Sequence, residues 1–343
     1  MIASMMDPFV TVVIPCRNEA PFIRRVIESL VTSSYPREKL EAFIVDGMST
    51  DGTRAILQDT ARKHAFIRII DNPLKTAPVA LNLGIGAARG EIIVRMDAHS
   101  QYPPDYILRC VSLLQSGSKI GNAGGLLVNM TNGEGPWARA VAFVTAHRFG
   151  VGGAAFRIGA PSGLVDTVPG GTFSRAVLDE VGFYDARLTR NQDNELNARL
   201  QKAGYAIAFD PSIQVHYWNQ ASLMGLARQA FFNGIWNVYT LALHPYTWKA
   251  RRFVPMCFVG YLALLAAAAS WPAHRAAAAA APLGVYAALV AIFSIGGGTA
   301  RGRIPIAATF VAYHLSYGAG SFLGIANVLT GRWRDDLGRP LIK

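Results

Sequence analysis

The chain has 343 residues, 51% of them hydrophobic and only 16% charged, with a formal net charge of +11. Soluble chains usually carry about 25% charged residues, so this composition does not fit an ordinary soluble protein throughout. Residues 211–334 contain no Asp or Glu, yet hold Arg228, Lys249, Arg251, Arg252, Arg275, Arg301 and Arg303. Such a stretch suits an anionic membrane surface, and no nucleic-acid-binding module is legible.

Residues 10–15 (VTVVIP) predict a first strand, apolar throughout as a parallel strand covered on both faces should be. After a loop at 15–19, Ile23, Val26, Ile27 and Leu30 recur at helical spacing, with Arg24, Arg25 and Glu28 opposite. Residues 42–45 predict a second strand, followed by the loop DGMSTDGT at 46–53. Thr50 or Asp51 there can cap a helix over 53–64. A strand at 66–70, a helix at 78–88, a strand from 92 leading to Asp97 and a helix at 104–114 complete an alternating series. That alternation predicts an α/β fold with a doubly wound nucleotide-binding half.

From Gly121 to Gly171 the pattern is irregular and rich in Gly, Ala and Pro. Residues 167–175 (TVPGGTFSR) read as a loop entering a strand, 177–181 as a short helix and 183–189 as a loop. A helix opens at Asp193 and stops at Gly204, and strands are expected at 205–209 and 215–217.

Residues 1–220 are therefore expected to form a cytosolic domain. Residues 221–252, apolar and aromatic but broken by Arg228, Asn233, Asn237 and His244, predict amphipathic helices in a membrane interface. Residues 253–343 predict a transmembrane region with apolar segments at 253–271, 276–298 and 304–330, each near the roughly 20 residues that a bilayer core requires. The third has His314, Ser316, Tyr317, Gly318, Gly320 and Ser321 at its middle, so it reads equally as a packed, broken or re-entrant helix. The start, MIASMMDPFV, lacks a basic segment before an apolar core, so no signal peptide is expected. Cys16, Cys110 and Cys257 have no metal-binding spacing and read as buried reduced thiols. His147, His216, His244 and His314 are expected to be structural.

Ligands bind open α/β sheets at the C-terminal edge of the strands. There Asp97-Ala98-His99 sets a carboxylate and an imidazole two residues apart, on one side if the turn stays extended. The pair can hold Mg²⁺ or Mn²⁺ against a diphosphate. The plainer alternative is an Asp that caps the next turn beside a solvated His.

Five ordered motifs resemble the family 2 (GT-A fold) inverting glycosyltransferases over residues 10–236. They are VVIPCRNE, IVDGMSTDGT, MDAHSQYPPDYI, PGGTFSR with QDNELNARL, and RQAFFNGIW. The last is a degenerate Q-x-x-R-W motif, and Met48 stands where Ser is usual. Within the family the likeness is greatest to membrane-anchored, succinoglycan-type exopolysaccharide glucosyltransferases. The resemblance implies that Pro15, Asn18 and Glu19 shape a uridine pocket and that Asp46 accepts a hydrogen bond from uracil N3–H, although Asp46 can instead cap a turn. It implies that Asp97 binds the donor diphosphate and shares a metal, Mg²⁺ or Mn²⁺, with His99. It implies that Asp193 is the catalytic base, with Glu195 as the neighbouring acid and an N-cap role as the alternative. Gly170, Gly171, Thr172, Gln229 and Trp236 fall on the acceptor side.

The expected activity is inverting transfer of a hexose, first of all glucose from UDP-glucose, to a polyprenyl-diphosphate-linked saccharide at a bacterial inner (cytoplasmic) membrane. Other polysaccharide-assembly proteins are possible partners. The alternatives are transfer to polyprenyl phosphate, or a non-catalytic scaffold or transporter subunit that retains the fold.

Overall fold

A computed structural model describes residues 7–267, 272–297 and 300–339. The first six residues, residues 268–271 and 298 of the expected apolar segments, and Lys343 lie outside the described residues.

In chain order the elements are β1 (Val10–Cys16), α1 (Ile23–Val31), β2 (Leu40–Asp46), α2 (Thr53–Lys63), β3 (Ile67–Asp71), α3 (Ala77–Ala87), β4 (Ile92–Arg95), β5 (Ser100–Gln101), α4 (Tyr106–Gln115), β6 (Ile120–Met130), α5 (Pro136–Ala146), α6 (Arg148–Val151), α7 (Ala155–Ile158), β7 (Gly163–Val165), β8 (Gly171–Ser174), α8 (Arg175–Val181), α9 (Gln192–Lys202), β9 (Ala206–Trp218), α10 (Leu223–Leu243), α11 (Val254–Ala267), α12 (Ala273–Ile295) and α13 (Ala300–Thr330), with short 3-10 turns between some of them. They group into two units: Met1–Val128, Ile158–Tyr217 and Asp335–Lys343 form one, and Asn129–Arg157 with Trp218–Arg334 the other.

In the first unit the described strands form a nine-stranded sheet in the order β3-β2-β1-β4-β8-β6-β9-β5, with β7 on β9. β1 runs parallel to β2 and β4, and β2 parallel to β3, as the helical crossovers require. β4 then pairs antiparallel with β8, so it lies where the parallel half meets the antiparallel one. The core joins Val13, Phe43, Val45 and Ile93 of the strands to Leu81 and Ile85 of α3 and Leu196 and Leu200 of α9. At about 25 cal/mol per Å² of apolar surface, burial of such side chains contributes roughly 1.5–3 kcal/mol each. Helix α1 shows how the sequence selects its own face: Ile23, Val26, Ile27 and Leu30 are buried, as their spacing demands.

The stretch expected to be irregular is ordered. β6 is eleven residues long despite Gly121, Gly124 and Gly125, because a side chain at Gly125 would collide with the Ile213 carbonyl. The strands expected at 205–209 and 215–217 are one continuous strand, β9. Cys16 and Cys110 are buried, whereas Cys257 is exposed, which corrects the expectation for the third thiol.

The second unit is helical. Asn129–Arg157, inside the expected 1–220 domain, groups with it because the apolar face of α5 (Ala140, Val144) packs on Ile306 and Phe310 of α13. Glycines set the approach of α10 to α13: side chains at Gly234 or Gly320 would strike the backbone at Tyr317 or Phe231. Asn327 closes the pair by donating to the Tyr239 hydroxyl at 2.7 Å. Trp236 and Tyr239 are consequently buried, so α10 does not present them to an interface, while Trp248 is 56% exposed.

No helix among the described residues is long and apolar enough to cross a membrane, which leaves the three expected crossings without support. The described part of α11 covers Val254–Ala267. The described run of α13 is diluted by the polar residues at its middle, and there His314 accepts or shares a hydrogen bond with Tyr286 at 3.0 Å.

Candidate active site

The sequence-selected residues of the first unit gather at the C-terminal ends of β1, β2 and β4 and the start of α9. Pro15 is half-buried in β1, in register with Val45 of β2. Asn18 follows with φ 55°, a left-handed conformation that an Asn tolerates better than most residues. Its amide donates to Ser49 Oγ at 2.9 Å, and its side-chain oxygen accepts from Thr50 N–H at 2.9 Å. The Glu19 amide donates to Thr53 Oγ1 at 2.9 Å. These bonds stitch the loop after β1 to the loop after β2. Met48 (φ 57°) and Asn191 (φ 61°) share the left-handed region, so backbone strain recurs in the loops at this edge.

Asp46 ends β2 with 1% of its surface exposed. Its Oδ1 accepts from the Ser49 amide at 3.2 Å and hydroxyl at 2.5 Å, and Arg54 Nη1 lies 3.3 Å from Oδ2. Arg54 also pairs with Asp71. Asp51, one of the two candidate caps, accepts from the Thr53 amide at 3.1 Å, with Gly52 (φ 93°) as the residue that precedes the helix.

Asp97 and His99 leave β4 in the turn before β5. The Asp97 amide donates to the Tyr102 hydroxyl at 2.7 Å, which fixes the turn. The carboxylate receives Arg95 Nε at 3.2 Å and Nη2 at 3.0 Å, both on Oδ1. Burial would raise the Asp97 carboxyl, but Arg95 and His99 hold it below its ordinary value. His99 Nδ1 lies 3.6 Å from Glu19 Oε1, and its ring meets Tyr217 edge-on at 5.0 Å. Burial would lower the imidazole, yet Tyr217, Glu19 and Asp97 raise it to about 10.

Among the described residues no three His, Cys, Asp or Glu side chains converge as a ready metal cage. Asp97 and His99, two residues apart, fit a divalent cation once His99 gives up its proton, since only the neutral imidazole can bind the ion, and the Asp97 hydrogen bonds from described residues all fall on Oδ1. Two protein ligands suit Mg²⁺ or Mn²⁺ whose shell is completed by substrate phosphates.

Asp193 is the second residue of α9, and Asn191 is the residue that precedes the helix, so Asp193 is not its cap. Its Oδ1 is held by Arg95 Nη1. Burial raises the Asp193 carboxyl to about 6; Arg95 opposes the rise and Asp97 adds to it. Glu195, the neighbouring acid, is fully buried and gripped by Arg199 Nε at 2.8 Å and Nη2 at 2.7 Å. Arg199 also donates to the carbonyls of Val181, Gly182 and Phe183, each at 2.7 Å. That geometry makes Glu195 a structural anchor.

Gly170 (φ 65°) and Gly171 (φ 112°) need glycine for their backbone, and a side chain at Gly171 would collide with Asn122. Thr172 is buried, and its amide donates to Asn122 Oδ1 at 3.0 Å. Gln229 and Trp236 lie in the second unit, Gln229 half-buried and Trp236 2% exposed.

Arg95 is the residue that sequence reasoning passed over. Its one signal was a charge closing an apolar strand, IIVR.

A parallel nucleotide-binding half, an acid-and-imidazole turn after its fourth strand and a helix-borne carboxylate beside that turn define a GT-A-type glycosyltransferase. Residues 11–180 match glycosyl transferase family 2. The chain is 31% identical over 318 residues, 90% of its own length and 92% of the other, to succinoglycan biosynthesis protein ExoA of Rhizobium meliloti (strain 1021). It belongs to that family, as its motifs had indicated.

Another relative, 26% identical over 233 residues (66% of this chain, 72% of the other), is dolichyl N-acetyl-alpha-D-glucosaminyl phosphate 3-beta-D-2,3-diacetamido-2,3-dideoxy-beta-D-glucuronosyltransferase of Methanococcus voltae. The same fold occurs in the mannosyltransferase PcManGT from Pyrobaculum calidifontis, solved in complex with GDP-Man and Mn²⁺. That match has a TM-score of 0.64 at 22% identity and covers 93% of this chain and 88% of the other.

Proposed function

We propose that this glycosyltransferase moves a hexose, first of all glucose from UDP-glucose, with inversion onto a saccharide carried by a polyprenyl diphosphate. The observation that carries the reading is the meeting of Asp97 and Asp193 on one guanidinium, which brings a donor-side acid beside a candidate base. The name of one relative, for transfer to a dolichyl-linked sugar phosphate, supports an acceptor on a lipid carrier, and that of the other, for succinoglycan biosynthesis, supports a polysaccharide product.

In this reading the loops at Pro15–Glu19 and 46–53 hold the nucleoside. Asp46 would accept from uracil N3–H, for which Ser49 or Arg54 must yield part of its hold. Asp193, ionised at neutral pH, takes the acceptor hydroxyl proton as the new glycosidic bond forms at the sugar carbon and the bond to the diphosphate oxygen breaks. A divalent cation held by Asp97 and His99 would neutralise the charge that builds on the leaving diphosphate. Gly170, Gly171 and Thr172 stay candidates for the acceptor side, as does Gln229; buried Trp236 supports that role least.

Exposed Trp248, Val254, Leu264, Val285, Ile292, Ile304 and Leu329, in a stretch without acidic residues, support a lipid-facing surface on the second unit. The reading places it at the cytoplasmic face of a bacterial inner membrane.

The test supplies purified protein with UDP-glucose and a polyprenyl-diphosphate-linked saccharide. Asp193→Asn is expected to lower turnover by about 10² or more while donor affinity stays within a few fold. An active Asp193→Asn enzyme moves the base elsewhere. Transfer to polyprenyl phosphate alone selects the simpler acceptor.

A further inference from the structure

Arg95 closes β4 with its side chain only 9% exposed. Burial of a guanidinium is costly unless charges and hydrogen bonds surround it. Here each of its three nitrogens meets a carboxylate: Nε and Nη2 reach Oδ1 of Asp97, and Nη1 reaches Oδ1 of Asp193. The Tyr184 ring lies 5.8 Å from the guanidinium carbon. Tyr184 is itself tied down, its amide donating to Asn82 Oδ1 at 3.0 Å and its carbonyl accepting from Asn82 Nδ2 at 2.8 Å.

The backbone below is equally fixed. Arg95 stands in register with Val13 of β1 on one side and Gly171 of β8 on the other. A side chain at Gly170 would come within 3.2 Å of the Arg95 carbonyl. The fork therefore projects from the last paired residue of a central strand and not from a loop, which gives it little freedom. Asp97 and Asp193 are 96 positions apart in sequence and repel each other as like charges; a shared cation between them lets both stand ionised side by side.

We infer that Arg95 is a positioning residue for the transfer: its rigid fork holds the Asp193 carboxylate at a set place relative to Asp97, so that the proton acceptor stands beside the donor diphosphate. The inference rests on Asp193 being the base. With all three nitrogens on carboxylates, Arg95 works through these acids and not by contact with the donor.

The test measures kcat and donor KM for Arg95→Lys and Arg95→Gln, each alone and combined with Asp193→Asn, using labelled UDP-glucose and the lipid-linked acceptor. A small displacement of a reacting group costs on the order of 10² in rate, so each single variant should lose about that in kcat with donor KM within about threefold. Lysine keeps the charge but cannot fork onto two carboxylates, so it should not rescue turnover. On the Asp193→Asn background either change should lower kcat by less than about threefold more, because the group it positions is already gone.

Normal kcat in Arg95→Lys, a loss carried by KM, or losses that multiply in full on the Asp193→Asn background would each overturn the inference. If Arg95→Gln does not fold, Arg95→Lys decides alone, and a lysine variant that cannot fold makes Arg95 structural. A fully active Asp193→Asn enzyme instead removes the base assignment itself, whereas a dead Asp193→Asn beside a normal Arg95→Lys removes only the role of Arg95.

Discussion

The raised carboxyl of Asp193 should be visible in the pH profile of transfer. A base works when deprotonated, so activity is present above its folded pKa and is lost as pH falls through it. With that pKa at about 6 against an ordinary 3.8, about nine-tenths of the enzyme holds an ionised Asp193 at pH 7, half at pH 6 and about a tenth at pH 5. kcat/KM should thus fall about tenfold from pH 7 to pH 5, whereas an unperturbed Asp would lose less than about a tenth of its activity over that interval. Asp97 does not blur the window, because it is held below its ordinary value. The assay is the initial rate of UDP release at low donor concentration with lipid-linked acceptor, in buffers of matched ionic strength, beside Asp193→Asn. A profile flat down to about pH 5, or the same acid limb in the residual activity of Asp193→Asn, would refute the assignment.

Chelation by EDTA should abolish transfer, with Mn²⁺ restoring it at least as well as Mg²⁺, and Asp97→Asn should show weakened metal dependence in the same assay. Glu195→Gln should leave kcat near normal but lower stability by on the order of 3 kcal/mol, read from chemical unfolding, because Arg199 then faces an uncharged partner. Gly171→Ala should cost about 2 kcal/mol by the same measurement, since φ 112° and Asn122 leave no place for a methyl group. Replacing Lys249, Arg251 and Arg252 together by Gln should weaken binding to anionic vesicles by about 10²-fold, at roughly 1 kcal/mol per charge, with little change on neutral vesicles.

The parallel half of the sheet was readable in advance because its strands are short apolar runs and its helices show one apolar face, both properties of neighbouring residues. Expected and observed boundaries of β1 and α2 differ by one residue at a single end. The loops that follow the strands were equally readable, since Asn18, Asp46, Asp97 and His99 stand where an apolar run stops. β6 escaped because its glycines look like loop residues until the Ile213 carbonyl is brought against Gly125. α5 escaped because the face it buries is completed by α13, more than a hundred residues later.

Sequence by itself thus determined the strand–helix alternation, the acids at the strand ends and the family, all of which depend on residues close together in the chain. Apolarity alone could not tell lipid from protein as the partner of the C-terminal helices; in α10 and α13 glycines bring the backbones together, and Trp236 and Tyr239 are buried. Tertiary structure alone showed what holds each acid: Arg199 takes Glu195 for the fold, while Arg95 joins Asp193 to Asp97. The reason is range, because a carboxylate's chemistry is set by charges within a few ångströms, and here the cation that matters lies 98 positions away along the chain.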